Sequence, residues 1–542
     1  MQKELRKIIN KALSDLLGME QVGFPPVKYA KGDAGQFNGV NVEYPKDEKF
    51  GDYATNAALV LAKKMGKSPM EIAESIKYKV ESIKHDWIAK IEVAAPGYVN
   101  FYLSEKFLQD KVAEINEKKE DFGKSEIGKG IKINNEFISA NPTGPLTVGN
   151  GRGGFCGDSL SRILRKVGFE VTNEYYINDA GGQLEKLGHS VLQDDKAVYA
   201  GEYIQELHKK YGHLEDVVEV GCLAAKDVLE EIIKKTVAEK MQIFFDVWTS
   251  ERAIQDEGYV ERAIEILKGK NMTYESEGAL WLKTTEFGDD KDRVLIKSDG
   301  QKAYFAGDCG YMLNKIERGA AKLIMGLGAD HHGYVARMKA LAKALGFEGD
   351  FRFIISQLVR IMKDGKEVRM SKRAGNVVEI SELIEKVGHD VTRFFFLMYS
   401  PDTHMNFDLG LAEERSQKNP VFYVQYAHAR ICSILGKAKE MGIDFSGAEL
   451  EGLKHEKELS LIRELNKFPE LVEELAESYE VHKLPYYAIK LADKFHSFYN
   501  DCQVIDEENL ELTKARISLI TAVKIVLGET LELIGVEAPE KM

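Results

Sequence analysis

Proline is scarce in this chain of 542 residues, with 12 in all, and there are only 3 tryptophans and 5 cysteines. So few prolines leave no room for long Pro-rich linkers, and the segments are expected to meet at short joints. Cys156, Cys222, Cys309, Cys432 and Cys502 are odd in number, scattered and never in CxxC spacing. This argues against a disulfide framework and a cysteine-built structural zinc site, and the expected setting is a reducing cytoplasm. No apolar run approaches the roughly 18 residues that a membrane span needs. A positive balance is missing too, since 74 Lys and Arg face 87 Asp and Glu for a net charge of −13. Any nucleic-acid contact must then rest on local patches and base stacking, because no segment is a basic block. The opening MQKELRKIINKALSDLL reads as an amphipathic helix without the apolar core and small-residue cleavage site of a signal peptide.

What is present is ample core, 44% hydrophobic, enough for several domains. Ile131, Ile133, Phe137 and Ile138 form an alternating run that reads as a buried strand. A loop follows, with Pro142, Thr143, Gly144 and Pro145, and then Gly149, Gly151, Gly153 and Gly154 open a helix carrying Leu160, Ile163 and Leu164. A second strand is expected over 169–177. In such a strand–loop–helix unit, glycines let the backbone approach a polyphosphate and the first helical amides offer unpaired donors. Neither Walker A nor G-x-G-x-x-G spacing is present, so a tight turn packed on a sheet is the structural alternative.

The run from Ala140 to Arg152, ANPTGPLTVGNGR, resembles the loop that carries the HIGH signature in class I aminoacyl-tRNA synthetases, and in particular the arginyl-tRNA synthetase setting ANPTGPLHVGHGR. Thr147 and Asn150 stand where that family has histidine. Arg369-Met370-Ser371-Lys372-Arg373 resembles the second signature, KMSKS. Asp330-His331-His332-Gly333-Tyr334 matches a GADHHGY segment, and Phe422 to Arg430, FYVQYAHAR, matches an anticodon-domain motif. The resemblance to arginyl-tRNA synthetases runs over essentially the whole chain.

The resemblance implies an α/β fold: a Rossmann-like parallel-sheet catalytic domain (109–415) with a helical insertion at about 183–270. An N-terminal α/β domain (1–108) touching the tRNA elbow and an all-α anticodon-binding bundle (416–542) complete it. Helix is expected over 52–64, and strands around 279–283, 292–297, 322–325 and 353–355 are expected to complete the parallel sheet. The implied reaction is ATP-dependent ligation of L-arginine to tRNA(Arg), with activation needing bound tRNA. Thr147, Gly149, Asn150, Arg369, Ser371 and Lys372 are the implied catalytic set. ATP would be held by Pro145, Val148, Gly149, Gly151, Arg152, Met370 and Lys372. Its Mg2+ is expected on phosphate oxygens and water, with no protein-bound structural metal. A guanidinium needs carboxylates in bidentate geometry, and Glu136, Ser139, Asn141, Tyr304, Asp308 and His331 are the expected arginine contacts. Tyr423, Tyr426, Tyr499 and Met542 are expected at the tRNA, although aromatics at i and i+3 also suit a core. Neither Thr147 nor Asn150 can become cationic, so a deficit of about one to a few kcal/mol in phosphate stabilisation is expected. Two alternatives stand beside this: a synthetase for another amino acid such as cysteine, and an impaired or purely RNA-binding paralogue. A monomer is expected.

Overall fold

The computed structural model describes residues 1–17, 40–329, 332–368 and 378–542. Helix α1 (Gln2–Leu17) buries Leu5, Ile9 and Leu13, four apart on one face. After it come β1 (Tyr53–Thr55), α2 (Ala57–Met65), α3 (Pro69–Glu81), β2 (Ile88–Ala94) and β3 (Tyr98–Leu103). The strands form an antiparallel sheet in the order β1-β3-β2. The helix expected over 52–64 therefore begins as a strand. Tyr53, Ala54 and Thr55 are all buried, so no alternation marks them as one. Helix α4 (Glu105–Lys118), capped by the Ser104 hydroxyl, leads out of this module.

The central sheet is built from β4 (Lys132–Glu136), α5 (Val148–Lys166) and β5 (Glu170–Ile177). Helices α6 (Gly182–Leu192), α7 (Glu202–Tyr211) and α8 (Val217–Asp227) follow, then β6 (Val247–Ser250), α9 (Glu251–Asp256) and α10 (Tyr259–Gly269). Next are β7 (Thr273–Ser276), β8 (Ala279–Leu282), β9 (Arg293–Ile296), α11 (Tyr304–Glu317), β10 (Lys322–Gly328), α12 (His332–Leu345) and β11 (Asp350–Ser356). Five strands lie parallel in the order β11-β10-β4-β5-β6. The chain winds from β4 to one side and returns on the other through β10, which makes the crevice between them a topological switch point, where open α/β sheets bind ligands.

Two sequence expectations fail here. The 183–270 insertion is not wholly helical, because β6 within it is the edge strand of the parallel sheet. Conversely β8 and β9 are not part of that sheet; with β7 they make a separate antiparallel one. Glu277 and Gly278, both with positive φ, form a two-residue turn between β7 and β8, and so short a connection joins only antiparallel strands.

A third small sheet joins β12 (Val359–Lys363), β13 (Lys366–Glu367) and, after α13 (Ile380–Val387) and α14 (His389–Leu397), β14 (Met405–Asp408). Past α15 (Leu409–Glu413) the chain is helical: α16 (Pro420–Glu440), α17 (Glu456–Asn466), α18 (Phe468–Ser478), α19 (Lys483–Asp501) and α20 (Leu510–Ile534). Leu459, Ile462, Leu465, Val472 and Leu475 are buried at the expected spacing, as are Ile517, Ile520, Val523, Val526 and Leu527. The first module docks on this bundle through Asp52 with Arg463 at 3.0 Å and through the Tyr44 and Tyr53 hydroxyls on Glu470. Helix α5 reaches the bundle as well. Ser159 Oγ donates to Leu533 O at 2.8 Å, while Arg162 pairs with Glu532 and Lys166 with Glu529 on α20.

Candidate active site

Beyond Glu136 at the end of β4 the backbone turns sharply, with φ of 68° at Ile138 and 43° at Ser139. A β-branched residue in the left-handed region costs on the order of 1–3 kcal/mol and persists only where neighbours hold it. Ser139 N donates to Phe137 O, Tyr176 N donates to Ser139 Oγ, and Tyr175 OH both accepts from Ala140 N and donates to Ala140 O. Farther along, Tyr203 OH of α7 donates to Thr143 O at 3.0 Å.

The loop ends at Thr147, the N-cap of α5, in a reciprocal capping box with Asn150. Thr147 Oγ1 accepts from Asn150 N at 3.3 Å and donates to Asn150 Oδ1 at 2.9 Å, and the same oxygen accepts from Thr147 N at 2.9 Å. The two positions that depart from HIGH thus complete one another. The glycines divide by role. A Cβ at Gly151 would strike Ile380 at 2.5 Å, at Gly154 Met241 at 2.7 Å, and at Gly157 Phe137 at 2.3 Å, so these three serve packing. Gly149 and Gly153 have no neighbour closer than 3.5 Å and 3.8 Å and keep open space in front of the helix. Val148 N donates to Val378 O and Ile380 N to Leu146 O, which stitches the loop to the start of α13.

Arg152 is not brought to the loop mouth. It is buried, and its guanidinium donates to Gln357 O at 2.8 Å and Ser400 O at 2.7 Å, bracing α5 against the neighbouring segments. Arg369, Met370, Ser371, Lys372 and His331 lie outside the described residues.

Across the carboxyl ends of the strands lies an acidic recess. Asp308, on the first turns of α11, accepts from Tyr334 OH at 2.5 Å, while its Oδ2 is buried without a hydrogen-bond partner among the described residues. Burial pushes its carboxyl up to about 7, against the hydrogen bond from Tyr334 and the charge of Arg337. Glu251, the first residue of α9 at the end of β6, has a buried Oε2 that is likewise unpartnered. Burial, helped by the charge of Asp179, pushes it up to about 7 also. Glu251 Oε1 lies 3.6 Å from where a Cβ on Gly307 would stand, beside Asp308. Glu136 is buried, accepting from Ser139 Oγ on one oxygen and from Tyr311 OH at 2.9 Å on the other, which also forms an ion pair with Lys315 Nζ at 2.9 Å. Tyr304 is 77% exposed at the rim, and Asn141 and Pro145 are half-buried in the loop.

Glu251, Tyr311 and Lys315 were missed as pocket residues by sequence reasoning, whereas Tyr334 belongs to the GADHHGY segment that the resemblance places at the border of the active site. Residues 304, 308, 311 and 315 fall on one helical face, a spacing that points to two of them. Glu251 is marked by its place just after a strand, a signal hidden with β6 itself.

The proposed tRNA residues sit on the bundle. Tyr426 is 38% exposed and stacks on His496, with ring centres 6.0 Å apart. Tyr423 is half-buried and donates to Asp493 at 2.5 Å, and Arg430 lies over the Tyr499 ring at 4.9 Å. Met542 is exposed. On α16 it is Val424, Ala427 and Ile431 that face the core. Among the described residues no helix is long and apolar enough to cross a membrane.

A parallel sheet with a helix-capped loop and acidic recess at its switch point, followed by a helical bundle, has the architecture of a class I aminoacyl-tRNA synthetase, and residues 111–393 match the model for tRNA synthetases class I (R), catalytic domain. Residues 3–103 match the arginyl tRNA synthetase N terminal domain and residues 424–542 the DALR anticodon binding domain. The arginine–tRNA ligase of Shouchella clausii is 43% identical over 525 residues, covering 93% of this chain and 94% of that one. That of Bacillus subtilis is 40% identical over 559 residues, covering 98% and 100%. The chain belongs to the arginyl-tRNA synthetase family. The Thermus thermophilus arginyl-tRNA synthetase structure shares the fold, with a TM-score of 0.78 at 22% identity over 100% of both chains.

Proposed function

We propose that the chain, an ATP-dependent arginine–tRNA ligase by family, carries out both steps of ligation at the carboxyl ends of β4, β5, β6 and β10. The carrying observation is the pair of carboxylates, Asp308 and Glu251, each with a buried oxygen lacking a partner. Unpaired buried acceptors cost on the order of 1–3 kcal/mol each, which a bound guanidinium offsets with charge-assisted bonds. That deficit favours a working arginine site over a silent RNA-binding paralogue.

In the first step an arginine carboxylate oxygen attacks the α-phosphorus of ATP and pyrophosphate leaves with the bonding electrons. In the second a ribose hydroxyl at the tRNA 3′ end attacks the acyl carbon, loses its proton, and AMP departs. Asp308, Glu251 and Glu136 surround the cationic substrate, Asn141 and Ser139 orient its backbone end, and Tyr304 covers the rim. Pro145, Val148 and Gly149 shape the nucleotide side, with Gly151 packed on Ile380 behind them. There Asn150 offers a neutral donor to the phosphate through Nδ2, since its Oδ1 and the single Thr147 hydroxyl proton already close the capping box. Among the described residues no group of three or more His, Cys, Asp or Glu side chains suits a metal ion. The Mg2+ would ride on the ATP phosphates and water.

Residues 1–108, 109–415 and 416–542 divide the work: elbow contact, catalysis around the 183–270 insertion, and anticodon contact through Tyr423, Tyr426, Tyr499 and Met542. The protein acts as a cytoplasmic monomer, and arginine activation waits on tRNA. Pyrophosphate exchange with ATP, arginine and tRNA(Arg) tests this. Exchange is expected with arginine only when tRNA is added; charging of a different amino acid, or of none, sinks it.

A further inference from the structure

We infer that Lys315 is a positioning residue of the arginine pocket: it holds the Glu136 carboxylate in place from beneath and thereby sets the affinity for arginine. The inference rests on the arginine–tRNA ligase reading above. Glu136 and Glu174 are direct register partners on the adjacent parallel strands β4 and β5. Both are buried, and like charges side by side on one sheet face repel. Lys315 rises between them from α11, two turns after Asp308, with a side chain 1% exposed. Its Nζ donates to Glu174 Oε2 at 2.7 Å and Asn134 Oδ1 at 2.6 Å and lies 2.9 Å from Glu136 Oε2. Two of its donors thereby go to Asn134 and Glu174, and the contact with Glu136 is an ion pair.

The two glutamates are not equivalent. Glu174 has a second cation, Arg318 at 2.6 Å, together with the Thr249 hydroxyl and the Asn134 amide. Glu136 has Lys315 as its only cationic partner among the described residues, beside the hydroxyls of Tyr311 and Ser139. Lys315 is thus shared between the two carboxylates, but Glu174 keeps Arg318 when Lys315 is removed, whereas Glu136 keeps no cation among the described residues. Freed from Lys315, Glu136 keeps only the Tyr311 hydroxyl on Oε2 and faces Glu174 across one strand spacing without its cation, so its presentation to a cationic substrate is loosened.

The experiment separates this from a purely structural role. Lys315→Met is expected to raise the arginine KM about tenfold to a hundredfold, below the full loss seen when a directly paired buried charge is cut. The ATP KM, and kcat at saturating arginine, should change by less than about threefold, as befits lost ground-state binding. Lys315→Arg, which keeps the charge, should fall between. The double variant Lys315→Met with Glu174→Gln removes the like-charge neighbour while Glu136 still lacks its Nζ partner. Its arginine KM should stay raised with a melting temperature above that of the single variant. A double variant with the wild-type arginine KM, or a single variant that folds and keeps that KM, overturns the inference; should the single variant not fold, the double variant alone decides. Wild-type protein that neither binds arginine in calorimetry nor exchanges pyrophosphate overturns the ligase reading and this inference with it, whereas active wild type with unaffected variants overturns this inference only.

Discussion

The glycine loop and the acidic recess share one edge of the sheet, yet their polar groups are in opposite states. In the loop, Thr147 and Asn150 satisfy one another through three hydrogen bonds, carry no charge and stand half-open to solvent. In the recess, Asp308 and Glu251 each keep a buried, unpaired oxygen and are held near neutrality by burial. A site complementary to a cation shows itself as a deficit that only the ligand completes. A site for a polyphosphate, built from backbone amides and short side chains, closes on itself when empty and shows mainly as open space before Gly149 and Gly153.

Asp308→Asn attacks the comparison where it is strongest. The variant keeps the shape and can still accept from Tyr334, so a loss of about 2–5 kcal/mol in arginine binding, roughly 30-fold or more in KM, is expected. An unchanged arginine KM removes Asp308 from the pocket. Glu251→Gln, nearer solvent, should raise the same constant by about tenfold, or 1.4 kcal/mol. Acidification from pH 8 to pH 6 should weaken arginine binding by about tenfold for each of the two carboxyls, up to about a hundredfold. Both carboxyls are raised to about 7 in the empty pocket and lowered by a bound guanidinium, so the affinity is present above that pH and lost as pH falls through it. The stability linkage has the same origin with the opposite sign. Because these folded-state values lie above those of unfolded carboxyls, the empty enzyme loses stability as pH rises from about 4 through 7, and the thermal upshift given by arginine should be larger at pH 8 than at pH 6. Calorimetry in two buffers of unlike ionisation enthalpy should show protons released on arginine binding near pH 6.5; none released would mean the recess is not in deficit. On the loop side, Thr147→His with Asn150→His should raise the exchange rate by about tenfold at most, since a charge-assisted bond replaces a neutral one. A gain of a thousandfold would mean that the present pair is barely functional. Smallest of all, Thr147→Ala should cost about 1 kcal/mol at the cap, visible as faster amide exchange in the first turn of α5 without loss of the global fold.

Much of this is legible in the sequence. The strand–loop–helix unit showed through its apolar run and glycines, and the bundle through repeats such as Leu459, Ile462 and Leu465, because period and punctuation are local properties. What stayed hidden was set by partners distant in sequence. Strand β6 is four residues long, and Thr249 within it is buried because its hydroxyl reaches Glu174, so no apolar pattern betrays it. Arg152 reads as a phosphate ligand until Gln357 and Ser400, more than 200 positions away, supply the carbonyls that hold it. The buried ion pair of Lys315 is invisible for the same reason.

Helix α5 carries one more consequence. Its 19 residues span about 28 Å, with the capping box at one end and the clamps to α20 on its later turns. A single residue inserted between Gly153 and Asp158 would swing Thr147 and Asn150 through about 100° relative to Ser159, Arg162 and Lys166, and displace them by about 1.5 Å. The lettering at positions 147 and 150 is thus open to drift during evolution, while the count of residues from there to the clamp is not. Substitution changes how well the loop works; a change of length disconnects it from the bundle.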